Sequence, residues 1–133
     1  MADKEIILVR GLPGAGKTTA AYNLTNTVFE ADDYFYILTG QYKYNASEIG
    51  KAHGHCQERT ELAMQKGISP IAVANTFCCK WEMIHYHNLA KQYGYSVREI
   101  TIDYGHSVEW LAENNLHCVP LEKIQQMKDR WEV

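Results

Sequence analysis

Gly11-Leu12-Pro13-Gly14-Ala15-Gly16-Lys17-Thr18 is the stretch of this sequence whose residue types and spacing suit chemistry on phosphate. It satisfies G-x-x-x-x-G-K-[ST], a glycine-rich turn followed at once by a lysine and a hydroxyl, the P-loop (Walker A) pattern. Gly11, Gly14 and Gly16 let the backbone turn tightly and aim successive N–H groups inward, making a concave nest for phosphate oxygens. Lys17 can reach β- and γ-phosphates, and the Thr18 hydroxyl can hold Mg²⁺. A helix starting here points the positive end of its dipole at the same anion. The expected ligand is a nucleoside triphosphate with Mg²⁺, cradled by Gly11, Pro13, Gly14, Ala15, Gly16, Lys17, Thr18 and Thr19.

Transfer of a phosphoryl group to a hydroxyl also needs a base or orienting carboxylate and positive charge for the transition state. Asp32 and Asp33 follow a second short apolar run and can emerge beside the loop. Asp32 is the expected catalytic base alongside Lys17, and Asp33, Tyr34 and Asn75 are expected to meet the acceptor; the plainer reading makes one of the two aspartates a turn cap. The third apolar run should end in an acid that steadies Mg²⁺ through water, yet it ends Val73-Ala74-Asn75-Thr76, without charge. Tyr34, Phe35, Tyr36, Tyr42 and Tyr44 can stack on a base or fold onto the core. His53 and His55, like His85 and His87, are two apart on expected helices and point to different sides, which argues against a histidine metal site.

These residues need a frame, and the chain supplies alternating strands and helices. Glu5–Arg10 reads as a buried parallel strand, and the P-loop helix runs on through Leu24. Residues 27–31 form a second short strand. Asn45 and Glu48 suggest a capping box for a long helix ending at Gly67, with Ile49, Ala52, Cys56, Leu62 and Ala63 as its apolar stripe. Residues 68–74 make a third strand. A helix over 80–93 carries Trp81, Ile84 and Leu89 inward, with Gly94 as its cap. A fourth strand spans 95–102, and helices follow over 107–116 and 120–131, the last with Leu121, Ile124, Met127 and Trp131. This alternation predicts an α/β fold, a parallel sheet of four to five strands flanked by helices in a single domain over residues 1–133. In such sheets the ligand sits beyond the C-terminal strand ends, where the P-loop, Asp32 and Asn75 all fall.

The net charge of −3 runs against the basic face usual in polynucleotide binders. No stretch is long and apolar enough to span a membrane, and the charged start Met1-Ala2-Asp3-Lys4-Glu5 does not read as a signal peptide. Cys56, Cys78, Cys79 and Cys118 lack C-x-x-C spacing and read as reduced thiols of a cytoplasmic protein.

With these residues in place, the chain resembles the polynucleotide-kinase-like P-loop kinases, a family that includes the kinase half of phage polynucleotide kinase. The likeness rests on the P-loop through Thr19, Asp32-Asp33-Tyr34, and Gly40-Gln41-Tyr42-Lys43-Tyr44-Asn45. It continues through Gly67-Ile68-Ser69-Pro70-Ile71, Asn75-Thr76, Trp81-Glu82-Met83 and Tyr93-Gly94-Tyr95, and closes with Leu111-Ala112, Asn115, His117 and Val119-Pro120. The resemblance implies a compact P-loop kinase sheet, ATP and Mg²⁺, and Asp32 as the base that activates an acceptor hydroxyl. Four departures fall at functional places. Related proteins usually have Asp where this chain has Ala74, Asn at Phe77, an acceptor-gripping arginine at Phe35, and lid arginines where this chain reads Glu113-Asn114. An arginine finger in related chemistry is worth on the order of 10³–10⁵ in rate. The leading expectation is an ATP-dependent kinase acting on a hydroxyl of a nucleic acid or nucleotide, such as a 5′-hydroxyl or a hydroxymethylated base. The alternatives are a small-molecule kinase and a nucleotide-binding regulatory protein with little turnover.

Overall fold

The computed structural model describes residues 3–37 and 40–133. Met1 and Ala2 of the charged start, and positions 38–39 of the aromatic stretch, lie outside the described residues.

Four strands, β1 (Glu5–Arg10), β2 (Val28–Phe29), β3 (Ile71–Asn75) and β4 (Ser96–Thr101), form one sheet in the order β2-β3-β1-β4. Every pairing is parallel, with Leu8 opposite Val73 on one side and Glu99 on the other. The helices are α1 (Lys17–Leu24), α2 (Ile49–Gln65), α3 (Ile84–Tyr93), α4 (Val108–Asn114) and α5 (Leu121–Asp129). This is a four-stranded parallel sheet flanked by helices, within the four to five strands expected from the sequence.

Side chains alternate across a strand, so β1 and β3 each feed two cores. Ile6, Leu8, Ile71 and Val73 face α2 and α3, packing with Cys56, Met64, Tyr86 and Leu89. Ile7, Val9, Ala72 and Ala74 face the opposite way with Ala21 of α1. The small residues on that second face leave room for α1, which brings the P-loop close over the strand ends. At the centre of the two cores Ile6, Leu8, Val9, Ile71 and Val73 are fully buried.

Several expected boundaries and faces differ, each for a local reason. β2 stops at Phe29 instead of residue 31, because the Glu30 and Asp33 side chains each accept the other's backbone N–H in a reciprocal capping box that opens a 3₁₀ turn over Ala31–Tyr36. β3 begins at Ile71, since Pro70 has no N–H for the ladder. Asn45 takes the N–H of Ser47 instead of forming a box with Glu48, which pairs with Lys51. Ile49 and Leu62 are exposed; the buried stripe of α2 is Ala52, Cys56, Thr60, Ala63 and Met64. Trp81 and Ile84 also face outward, at 70% and 54% exposure, where an inward face was expected. Residues Lys80–Met83 form a 3₁₀ turn, whose tighter winding rotates the face so that Met83, Tyr86, Leu89 and Ala90 point in. In α5 only Ile124 is fully buried and Leu121 is exposed, while Trp131 lies beyond the helix. The stops at Gly67 and Gly94 are as expected, both in the left-handed conformation.

Among the described residues no helix is long and apolar enough to cross a membrane.

Candidate active site

The site is built at the C-terminal ends of β1, β2 and β3. β1 delivers Arg10 and then the P-loop, whose entry is fixed by a hydrogen bond from the Gly11 N–H to the Thr76 carbonyl (3.2 Å). Gly14 and Gly16 have φ of 83° and 101°, which a side chain would strain. A Cβ on Gly14 would also lie 3.0 Å from the Leu111 carbonyl, so the loop packs directly under α4.

Lys17 is half-buried and its Nζ donates to the Leu12 carbonyl (3.1 Å), curling back over the loop. Burial pulls its pKa down from 10.5 to about 8, partly offset by the charges of Glu30 and Asp32. The Thr18 hydroxyl donates to Glu30 Oε1 at 2.6 Å. Burial pushes the Glu30 carboxyl up, and the hydrogen bond from Thr18 works the other way. Glu30 is thus a carboxylate on the P-loop hydroxyl that sequence reasoning passed over. Its signal was its place at the end of an apolar run, hidden by the Asp32-Asp33 pair beside it.

Asp32 and Asp33 separate. Asp32 lines the cleft, accepts from the Tyr42 hydroxyl (3.2 Å) and lies 3.5 Å from His117 Nε2. The Tyr42 and His117 rings stack at 4.0 Å, so the residues holding Asp32 brace each other. Asp33 turns away: its carboxylate takes the N–H of Glu30 and the Arg59 guanidinium, each at 3.1 Å. Tyr34 packs edge-on against Phe35 and His55, outside the cleft lining.

Asn75 is buried at the end of β3. Its Oδ1 accepts from the Ala31 N–H (2.9 Å) and its amide faces Cys56 Sγ (3.9 Å). It therefore fastens the turn that carries Asp32 to the central sheet. Asn75→Ala leaves the Ala31 N–H without its partner and should cost about 1–3 kcal/mol, read from the urea midpoint at unchanged slope.

Arg10 was not anticipated. It is 3% exposed, donates to the Phe77 carbonyl (3.1 and 2.8 Å) and the Glu132 carbonyl (2.6 Å), and lies 4.5 Å from the Trp131 ring centroid. This clamp fixes the turn after β3 and the segment after α5 around the base of the cleft.

The cleft itself has a volume of about 1010 Å³ and joins Lys17, Thr18, Glu30, Asp32 and Asn75 to the turn between α4 and α5. That turn is tied by Asn115, whose side chain bonds Leu111, Ala112 and Val119. Asn114 lines the cleft and Glu113 does not; Lys123 and Arg130 of the following segment do. Arg98 is paired with Glu5 on the sheet.

A profile described as an AAA domain matches residues 6–133, nearly the whole chain. The chain belongs to this family. Human NEDD4-binding protein 2 is 37% identical over 134 residues, an alignment covering 96% of the chain but only 8% of that much longer relative. Among solved structures, a candidate kinase from Chloroflexus aurantiacus superposes with a TM-score of 0.68 at 19% identity, over 86% of this chain and 66% of that one. A chain of the Pnkp1/Rnl/Hen1 RNA repair complex superposes at 0.66 and 14% identity, over 98% of this chain and 44% of that one. At these identities the structural likeness establishes the fold. The residues of this chain must carry the chemistry.

Proposed function

We propose that the protein transfers the γ-phosphoryl group of ATP, with Mg²⁺, to a hydroxyl of a nucleic acid or nucleotide. The observation that carries this reading is Asp32, a carboxylate held by Tyr42 and His117 on the same cleft as the P-loop lysine and hydroxyl. The loop N–H groups and Lys17 bind the phosphates, and Asp32 accepts the proton of the acceptor hydroxyl. Mg²⁺ supplies charge neutralisation between the phosphates. The residues present fit it: the Thr18 hydroxyl is a P-loop metal ligand by type, and Glu30, 2.6 Å from it, is the carboxylate missing after β3. Lys123 and Arg130 are the cleft's cations beyond the P-loop, and they take the place of the absent lid arginines. An aromatic wall of Tyr42, Tyr44 and Trp81 supports a base-bearing acceptor.

Glu30→Gln should raise the Mg²⁺ concentration needed for half-maximal nucleotide binding by about tenfold, without weakening binding of metal-free ADP. Calorimetric titrations with and without metal check this.

The reading as a whole is tested by Mg²⁺-dependent transfer from γ-labelled ATP to 5′-hydroxyl DNA and RNA, DNA with hydroxymethylated bases, nucleosides and sugars. Label on a polynucleotide or nucleotide, lost in Lys17→Ala, is the expected result. Label on sugars alone would move the assignment to a small-molecule kinase. ATP binding with no acceptor labelled would replace it with a nucleotide-gated binding protein, the reading that the departures at Ala74 and Glu113 motivate.

A further inference from the structure

We propose that Cys78, Cys79 and Glu82 form a binding site for a thiophilic divalent cation of the zinc type. Their spacing in sequence does not resemble a zinc motif, and adjacent residues in regular structure point apart. Here the chain leaves β3 through Phe77, whose φ is 48°, and enters the 3₁₀ turn Lys80–Met83. That path turns both thiols and the carboxylate to one side. Among the described residues this is the only group of three or more potential ligands whose donor atoms all lie within 4.8 Å of one another.

Two of the three donor–donor distances fit a metal polyhedron, and the third lies within 4.8 Å. Zinc–sulfur bonds of about 2.3 Å and zinc–oxygen bonds of about 2.0 Å at tetrahedral angles give ligand–ligand edges of about 3.8 Å (S–S) and about 3.5 Å (S–O). The structure has Cys78 Sγ to Cys79 Sγ at 3.9 Å and Cys78 Sγ to Glu82 Oε2 at 3.4 Å. The carboxylate is already oriented, because the same Oε2 accepts the Cys79 N–H at 2.9 Å. Both thiols are free.

Charge points the same way. Three groups that can each carry a negative charge converge here, and a bound cation would reverse their mutual repulsion. Two thiolates favour zinc over magnesium or calcium, which prefer oxygen ligands. Cys78 and Glu82 also line the large cleft, so a fourth ligand, water or a substrate atom, has an approach from that side. On the other side Cys79 Sγ contacts the Arg130 carbonyl at 3.7 Å, so the cation would bind beside the segment that Arg10 clamps. None of this depends on the phosphoryl-transfer reading.

The test uses the full chain, reduced and stripped with chelator, titrated with Co²⁺ and then Zn²⁺. The expected result is one equivalent of Co²⁺ with a thiolate charge-transfer band, displaced mole for mole by Zn²⁺. Cys79→Ser, at a partly exposed position, and Cys78→Ser should each weaken Zn²⁺ binding by at least about tenfold, with folding checked by circular dichroism. Cys118→Ala should leave the band intact. Absence of a thiolate band at stoichiometric Co²⁺ would overturn the proposal. So would a band that survives Cys79→Ser in the folded protein, or one lost in Cys118→Ala. The readout is metal binding, so a failure here and a failure of the acceptor assay are separate results.

Discussion

Asp32→Asn should lower single-turnover phosphoryl transfer by about 10²–10⁴-fold while leaving nucleotide affinity within about threefold. Asparagine keeps the shape of the side chain and an oxygen to accept from Tyr42, so the turn and the aromatic brace are preserved. It removes the capacity to take up a proton, and with it the charge facing His117. An effect on the chemical step without an effect on binding separates a base from a positioning residue. Equal losses in affinity and rate would mean that Asp32 serves to hold the cleft together. The matching change at Asp33 should leave chemistry nearly unaltered and show up in stability, because that carboxylate is engaged by the Glu30 N–H and Arg59.

Lys17→Met should weaken nucleotide binding by at least about 100-fold and, in the same protein, raise the melting temperature of the nucleotide-free form by roughly 2–6 °C. The first effect follows from losing the phosphate-facing cation. The second follows from the lowered pKa. The folded protein holds the Lys17 proton with a pKa of about 8, against an ordinary 10.5. Between these values the unfolded chain binds more protons than the folded one, so stability rises with pH across that window. Below pH 8 the penalty of the buried ammonium is fully present; above 10.5 it has vanished. The methionine variant removes the penalty at neutral pH, and its stability should lack the upward slope between pH 8 and 10.5. Scanning calorimetry of both proteins at pH 7 and pH 9.5 checks the sign. A melting temperature lowered at pH 7 would show that Lys17 is held by its contacts rather than strained by burial.

The strength of the P-loop and of β1 as sequence signals has a common origin. Each is defined by its own residues: glycines for the turn, an unbroken apolar run for a strand buried on both faces. The order of strands and helices was legible for the same reason. The placement of Trp81 and Ile84 was not, because it depends on a 3₁₀ turn whose hydrogen bonds come from Glu82 and Cys79 acting together. Asp32 was legible as a carboxylate near the loop. Its partners Tyr42 and His117 were not, since they arrive from 10 and 85 positions later in the chain. Asp33 and Tyr34, one and two positions on, turn elsewhere because each has its own partners: the Glu30 N–H and Arg59 for Asp33, the Phe35 and His55 rings for Tyr34. Arg10 was hidden most completely: nothing in an apolar strand ending in arginine announces a clamp on residues 77 and 132.

The hydrogen bond between Thr18 and Glu30 changes what the alanine at position 74 means. Read position by position, Ala74 stands where the resemblance to polynucleotide-kinase-like kinases leads one to expect aspartate. Read as a volume of space around the loop hydroxyl, a carboxyl group is present after all, on Glu30 just after β2 instead of at the end of β3. Restoring aspartate at 74 in this chain would not repair a loss. It would put a second carboxylate into a buried layer of alanines beside the first, and tax the phosphate site with repulsion. Family patterns that score each column independently will therefore read substitution as decay wherever two columns trade one carboxyl group.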